Sequence, residues 1–362
     1  MILELLQKVI LTALDILNGA SVWLIISFVL AGLMHNLISP DRLQRMLGNR
    51  SIPALAKATV SGMLLPICSC GVIPLGLGLY YSGAFLGPTL AFMTATPIIN
   101  PAAVLLAYGF LGPQIATIYL LTGFVVPMLI GVIANKLAGP EIHAPGLDEP
   151  VVPAEMESGE QAGLAQKLQA GLQWGFLDMG VSVSKYVCVG MLLAGLIIVL
   201  APPAFIQQYL GNPGMISVAG IAILGAIMYV CAVGHIPFIA ALIASGAAPG
   251  LAITFLMTGA ATNLPELISM YKLIGRRTVL IYTSVLISTS FLVGYITNIM
   301  LLPGFTPFFD LSKTRQTVGL ANNIIFAAPE PLRYLCTAVV LLLGLYALWP
   351  GFKKALARVR AA

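Results

Sequence analysis

Charge is scarce in this chain. Asp, Glu, Lys and Arg make up 9% of its 362 residues, against about 25% in an ordinary soluble domain. Histidine is nearly absent, at three residues, and five cysteines are no disulfide framework. With 59% hydrophobic residues and a mean hydropathy of +0.98, too little polar side chain is left to coat a soluble globule of this size. That excludes a soluble enzyme, a nucleic-acid binder and a disordered chain. The 18 Lys and Arg sit in short clusters between apolar runs, so the net charge of +5 reports membrane orientation rather than nucleic acid. Also missing are a GxxxxGK(S/T) loop, an HExxH and a GxSxG. Their absence removes P-loop ATP hydrolysis and the commonest intramembrane hydrolases. What remains is an all-α integral membrane protein.

A crossing needs about 20 apolar residues. Clean candidates run over about 20–38, 114–135, 183–201, 278–302 and 333–350. Two longer apolar stretches, about 52–110 and 214–274, are broken by Pro, Gly and polar residues. Residues 1–17 carry Glu4, Lys8 and Asp15 without a small-residue cleavage site, and are expected as an amphipathic interfacial helix rather than a signal. Residues 136–170 hold six acidic side chains and four prolines, the composition of a flexible acidic linker. The expected organisation is a first membrane repeat over 1–135, the linker over 136–170 and a second repeat over 171–302. A loop, a final helix and a basic tail that reads as cytoplasmic follow over 303–362.

The strongest feature is an internal repeat. Shifted by 163 residues, the halves align without a gap: Leu47-Gly48-Asn49 meets Leu210-Gly211-Asn212, and Asn100 meets Asn263. Cys68, Gly71, Ile73 and Pro74 meet Cys231, Gly234, Ile236 and Pro237. Duplicated halves with breaks at matching positions mark secondary transporters, whose binding site lies near the midplane between the broken segments. Arg42, Arg45 and Arg50 follow the first span, whereas its counterpart loop at 202–213 is uncharged. In the second half Lys272, Arg276 and Arg277 stand opposite an uncharged turn at 109–114. Equivalent loops thus belong on opposite sides, which implies an inverted repeat of about five segments per half, 9–11 in all. A parallel nine-span arrangement is the alternative.

The first break reads Pro66-Ile-Cys-Ser-Cys-Gly-Val-Ile-Pro74, the second Cys231-Ala-Val-Gly-His-Ile-Pro237. Proline and glycine interrupt the helix there, and the freed backbone must be buried or line a wet cavity. Cys68, Cys70 and Cys231 bring thiols, soft ligands suited to Cu(I), Zn, Hg or trivalent arsenic. His235 is a borderline-soft ligand, a proton relay or a satisfied buried histidine. A second pair of breaks contains Thr96, Asn100, Thr262 and Asn263, which either face the path or bond the freed backbone. Glu266 lies deep in an apolar stretch, either as a proton carrier or paired with Lys272 or Arg276. Cys188 and Cys336 lie in clean spans and read as packing.

These motifs, with Gly87-Pro-Thr-Leu-Ala-Phe-Met93 and Thr96-Pro-Ile-Ile-Asn-Pro101, resemble the bacterial predicted-permease family that includes organoarsenical efflux permeases. Related branches are assigned to copper/zinc or organometal efflux. The likeness covers about 20–135 and 183–302. It implies a multi-pass permease of the cytoplasmic membrane that exports soft metals, metalloids or their organic derivatives. The family's cysteine motif carries over onto Cys68 and Cys70, as transient ligands of the cargo, and its asparagine-proline motif onto Asn100 and Pro101. The expected partners are the cargo and the lipid bilayer, with no resident cofactor and no catalysis. Homodimer or accessory subunit stays open. The rivals are a transporter of a sulfur-containing anion or thiol metabolite, a membrane thiol oxidoreductase, and a subunit of a larger complex.

Overall fold

The computed structural model describes residues 2–37, 47, 49–65, 69–144, 164–200, 214–227, 231–244, 247–302 and 328–360, and contains no strand among them. Helices are what physics allows here, because backbone polar groups in hydrocarbon must be satisfied within the segment. In the first repeat α1 spans Ile2–Leu37, α2 Ile52–Met63, α3 Ser69–Tyr81, α4 Leu86–Ile98, α5 Pro101–Phe110 and α6 Gly112–Leu137. A 3-10 turn, Pro140–Ile142, follows. In the second repeat α7 (Leu164–Gln173) continues through a π-helical stretch, Trp174–Gly180, into α8 (Val181–Leu200). Then come α9 (Met215–Ile227), α10 (Ala232–Ala244), α11 (Pro249–Ala261), α12 (Leu264–Leu273) and α13 (Arg276–Leu301). The final helix, α14, covers Glu330–Arg360.

The 163-residue shift maps α3 onto α10, α4 onto α11 and α5 onto α12 end for end. Residues 1–17, expected as a separate interfacial helix, are instead the first half of α1, and Leu3–Leu33 is long and apolar enough to cross a bilayer. Within the 136–170 stretch, α6 runs to Leu137, residues 138–144 pack onto the bundle, 145–163 lie outside the described residues, and α7 begins at Leu164. Five described helices are long enough to cross, and each of the pairs α4–α5 and α11–α12 makes one further crossing bent by 43° and 44°.

Direction follows from the contacts. Gly139, just past the end of α6, would meet Arg277 Nη1 at 2.9 Å with an added Cβ, so the end of α6 lies beside the start of α13. The two helices pack along each other and therefore run antiparallel. They are repeat equivalents, so the repeat is inverted. The Tyr81 hydroxyl donates to the Leu273 carbonyl at 2.6 Å, and Phe85 N donates to the Leu47 carbonyl at 3.1 Å, which brings the ends of α3 and α12 to this same face. Arg50, Lys136, Lys272, Arg276 and Arg277 lie here too, making it the basic face. From it α2 descends beside α4: Leu55 sits by Gly87 and Gly131, while Gly62 sits by Phe92 and Thr96. Helix α3 climbs back to it, so α2 and α3 enter and leave by the same face as a re-entrant hairpin, with the end of α2 at mid-depth beside Thr96. At 12 residues, α2 is about 18 Å long at 1.5 Å per residue, too short to cross. Helices α9–α10 form the counterpart from the opposite face. With both hairpins counted, the segments reach the upper end of the expected range.

Candidate functional site

At mid-depth the end of α2 lies by the first bend and the end of α9 by the helix leading into the second: Gly62 packs against Thr96, and Gly225 against Thr258. Each bend is built alike. The Asn100 side chain accepts from Ala103 N at 2.8 Å and caps α5, and the Asn263 side chain accepts from Glu266 N at 2.9 Å and caps α12. Both caps satisfy an amide that the helix start leaves without a carbonyl, and a proline fills the first turn of each helix. On the other side of the bend, Thr96 Oγ1 donates to the Phe92 carbonyl at 2.8 Å, and Thr262 Oγ1 to the Thr258 carbonyl at 2.7 Å. The asparagine oxygens and threonine hydroxyls singled out from the sequence thus hold the bends together.

The carbonyls released at the bends are caught by tyrosines. The Tyr119 hydroxyl donates to the Ile98 carbonyl, and the Tyr282 hydroxyl to the Ala261 carbonyl, both at zero exposure. These pairs too differ by 163. Substituting either tyrosine by Phe strands a buried carbonyl, with an expected cost of about 1–3 kcal/mol. Thermal unfolding in detergent checks this, with each single variant melting below wild type and the double variant lower still.

Around this shared frame the halves diverge. Cys231 stands at the start of α10, which packs against α5 of the first repeat, and Tyr119 lies within electrostatic range of its thiol. Cys231 is half-buried. His235, one turn on, places Nδ1 3.0 Å from the Cys231 carbonyl. A carbonyl only accepts, so Nδ1 carries the proton in the neutral ring, which leaves Nε2 the basic nitrogen. Among the described residues no three His, Cys, Asp or Glu side chains come together as a metal-holding group. Cys68 lies outside the described residues, as does the side chain of Cys70.

On the other half, Glu266 occupies the place that Ala103 holds in the first repeat. Its carboxyl is fully buried; Oε2 accepts from Asn263 Nδ2 at 3.3 Å, and Oε1 has no hydrogen-bond partner in the described structure. Tyr282 lies within electrostatic range of Glu266 and near Thr94 of the first repeat, so this group too stands where the halves meet. Four half-helix N-termini, those of α3, α5, α10 and α12, point to this depth, and such ends favour negative charge. Cys336 is buried in α14, and Cys188 lies in α8 against Gly344, both away from the bends.

A family profile described as a predicted permease matches residues 5–299. The chain belongs to that predicted-permease family. It is similar to a UPF0718 protein of Methanocaldococcus jannaschii, 24% identical over 358 residues, covering 83% of this chain and 98% of the relative. A UPF0718 protein of Bacillus subtilis is 25% identical over 73% of this chain and 88% of its own. A Streptococcus mutans protein, named as a subunit of a two-component membrane permease complex, is 21% identical over 71% and 84%. No solved structure matches the chain.

Sequence reasoning missed Tyr119, Tyr282 and Thr94 in this permease. A tyrosine within an apolar run carries no polar signature, yet the offset that pairs Asn100 with Asn263 also pairs the two tyrosines.

Proposed function

We propose that this permease is a secondary transporter of the cytoplasmic membrane that exports soft metal, metalloid or organometal(loid) species such as trivalent organoarsenicals. The observation that carries the reading is the half-buried Cys231 thiol at the start of α10, one turn from His235, where α10 packs against α5 of the first repeat. Sulfur prefers soft, thiol-reactive species to hydrated hard cations. Cys68 and Cys70, in the matching tip sequence, are the further ligands. Two or three weakly engaged donors suit a cargo that must be released. Asn100, Asn263, Thr96 and Thr262 shape the path by fixing the bends. Glu266 carries the coupling proton: a buried carboxyl oxygen without a donor is stabilised by a proton, the smallest occupant of a packed site. His235 is the second candidate relay. The basic face is cytoplasmic by the excess of Lys and Arg.

Protection of thiols tests the cargo class. Incubation with a trivalent phenylarsenical is expected to shield Cys231 from maleimide, and Cys68→Ser/Cys70→Ser is expected to weaken that shielding. Shielding of Cys188 and Cys336 to the same degree would mean unselective thiol chemistry and overturn the reading. A second reading, transport of a sulfur-containing anion, draws on the four helix N-termini at mid-depth. Thiosulfate, rather than the arsenical, would then protect Cys231. The complex-subunit name of the Streptococcus relative bears on partners: a membrane pull-down separates an accessory subunit from a homodimer.

A further inference from the structure

The residues after α6 tie both repeats together at the basic face, and nothing in the transport site requires them to. The 3-10 turn Pro140–Ile142 lies between the α3–α4 turn of the first repeat and the α12–α13 turn of the second. The Tyr80 hydroxyl stands between the Glu141 and His143 carbonyls, at 2.9 and 2.7 Å. The rings of Phe85 and His143 meet edge to face with centroids 4.1 Å apart. On the second-repeat side, Thr278 Oγ1 donates to Glu141 Oε2 at 3.3 Å. Gly275, at φ +156°, admits the Glu141 carboxylate so closely that an added Cβ would lie 2.0 Å from Oε1. The Tyr81 hydroxyl bonds the Leu273 carbonyl and joins the mouth of the α2–α3 hairpin to α12.

The repeat does not carry these side chains over to the other half. The repeat counterparts of Tyr80, Tyr81, Arg277 and Thr278 are Ile243, Ala244, Gln114 and Ile115. An inverted repeat that alternates access must open one mouth while the other is shut. The basic-face mouth is fastened by hydroxyls, a carboxylate and backbone carbonyls, and these four side chains are not repeated in the other half.

We propose that Tyr80, Tyr81, Glu141 and Thr278 form a clasp that shuts the basic-face mouth of the transport path, and that releasing it admits cargo from that face. This rests on the transporter reading, but its test needs no cargo. Cys231 serves as the reporter at mid-depth, in a chain whose other cysteines are replaced by serine, reconstituted in vesicles of known sidedness. Labelling by a charged, membrane-impermeant maleimide is measured from each face. The clasp-breaking pair Tyr81→Phe/Glu141→Ala is expected to raise the labelling rate from the basic face about tenfold, the scale set by losing one or two hydrogen bonds, and to leave the other face unchanged. Tyr81→Phe alone, which removes one bond and adds no bulk, is expected to raise labelling from the basic face to a smaller degree and serves if the pair does not fold. Unchanged labelling in both variants, or an equal rise from both faces, would overturn the clasp. Failure of every metal or arsenical assay beside a one-sided labelling change would sink the cargo and leave the clasp standing.

Discussion

With Glu266 as the proposed proton carrier, Glu266→Gln is expected to give a folded protein whose uphill transport falls by about a hundredfold, the scale on which losing one protonatable group halts proton-transfer chemistry. The amide keeps the shape of the carboxyl and still offers an oxygen to Asn263 Nδ2, so the α12 cap and the bend survive. What it cannot do is gain and lose a proton. Its one state imitates the protonated carboxyl, and the cycle stalls there. Glu266→Ala gives the same loss with a fold equally intact, because the first repeat already carries Ala103 at this place. Thermal stability of both variants is expected at or above wild type, since removing a buried ionisable group relieves a desolvation cost. Downhill exchange of cargo across the membrane should persist, because exchange needs no net proton movement. Wild-type uphill transport in Glu266→Gln would remove the carboxyl from the coupling mechanism.

The largest effect on folding belongs to Gly250→Val. Helices α11 and α13 cross so closely that a Cβ on Gly250 would lie 1.9 Å from the Gly294 carbonyl oxygen and 2.6 Å from Asn298 Oδ1. That asparagine oxygen accepts from Gly250 N at 2.7 Å, and its counterpart Asn135 accepts from Gly87 N at 3.1 Å. Small residues permit this approach, which packing in lipid rewards because no hydrophobic force joins the helices. Valine must push backbone away from backbone and break the amide bond to Asn298. The expected cost is about 3 kcal/mol or more, overpacking added to an unmet buried donor. Size exclusion in detergent should show aggregate in place of a monodisperse peak. Gly87→Ala meets the Asn135 side chain instead of backbone and should cost less. Gly19→Ala, with nothing within 4 Å, is the control and should match or exceed wild type. A monodisperse Gly250→Val protein would mean that the helix crossing is looser than described.

Much of this architecture is legible in the sequence. The repeat fixes which helices correspond, because breaks, caps and close-packed glycines must recur wherever the same backbone path recurs. The inversion was readable from Arg42, Arg45 and Arg50 set against Lys272, Arg276 and Arg277, since charge sorts loops by side. The continuity of α1 was not readable. Glu4, Lys8 and Asp15 suggest an interfacial segment, yet a long helix carries such residues on its exposed side while Val9, Ala13 and Leu17 pack inward. Nor was the role of residues 138–144. Their composition resembles a tether, and only the placement of Tyr80 and Thr278 from elsewhere in the chain turns Glu141 and His143 into a contact. Of the site, the residue types are legible and their partners are not: Tyr119 finds the Ile98 carbonyl, and Tyr282 the Ala261 carbonyl, only through folding.

The most direct measurement is resistance in a metal-sensitive bacterial host, with wild type compared against Cys68→Ser/Cys70→Ser and Cys231→Ser. The panel holds trivalent arsenicals, phenyl and methyl organometals, Hg(II), Cu and Zn. Resistance to one soft class, lost in the cysteine variants at unchanged membrane abundance, is the predicted result. Membrane-inserted wild-type protein that protects against none of them would contradict export of a soft cargo.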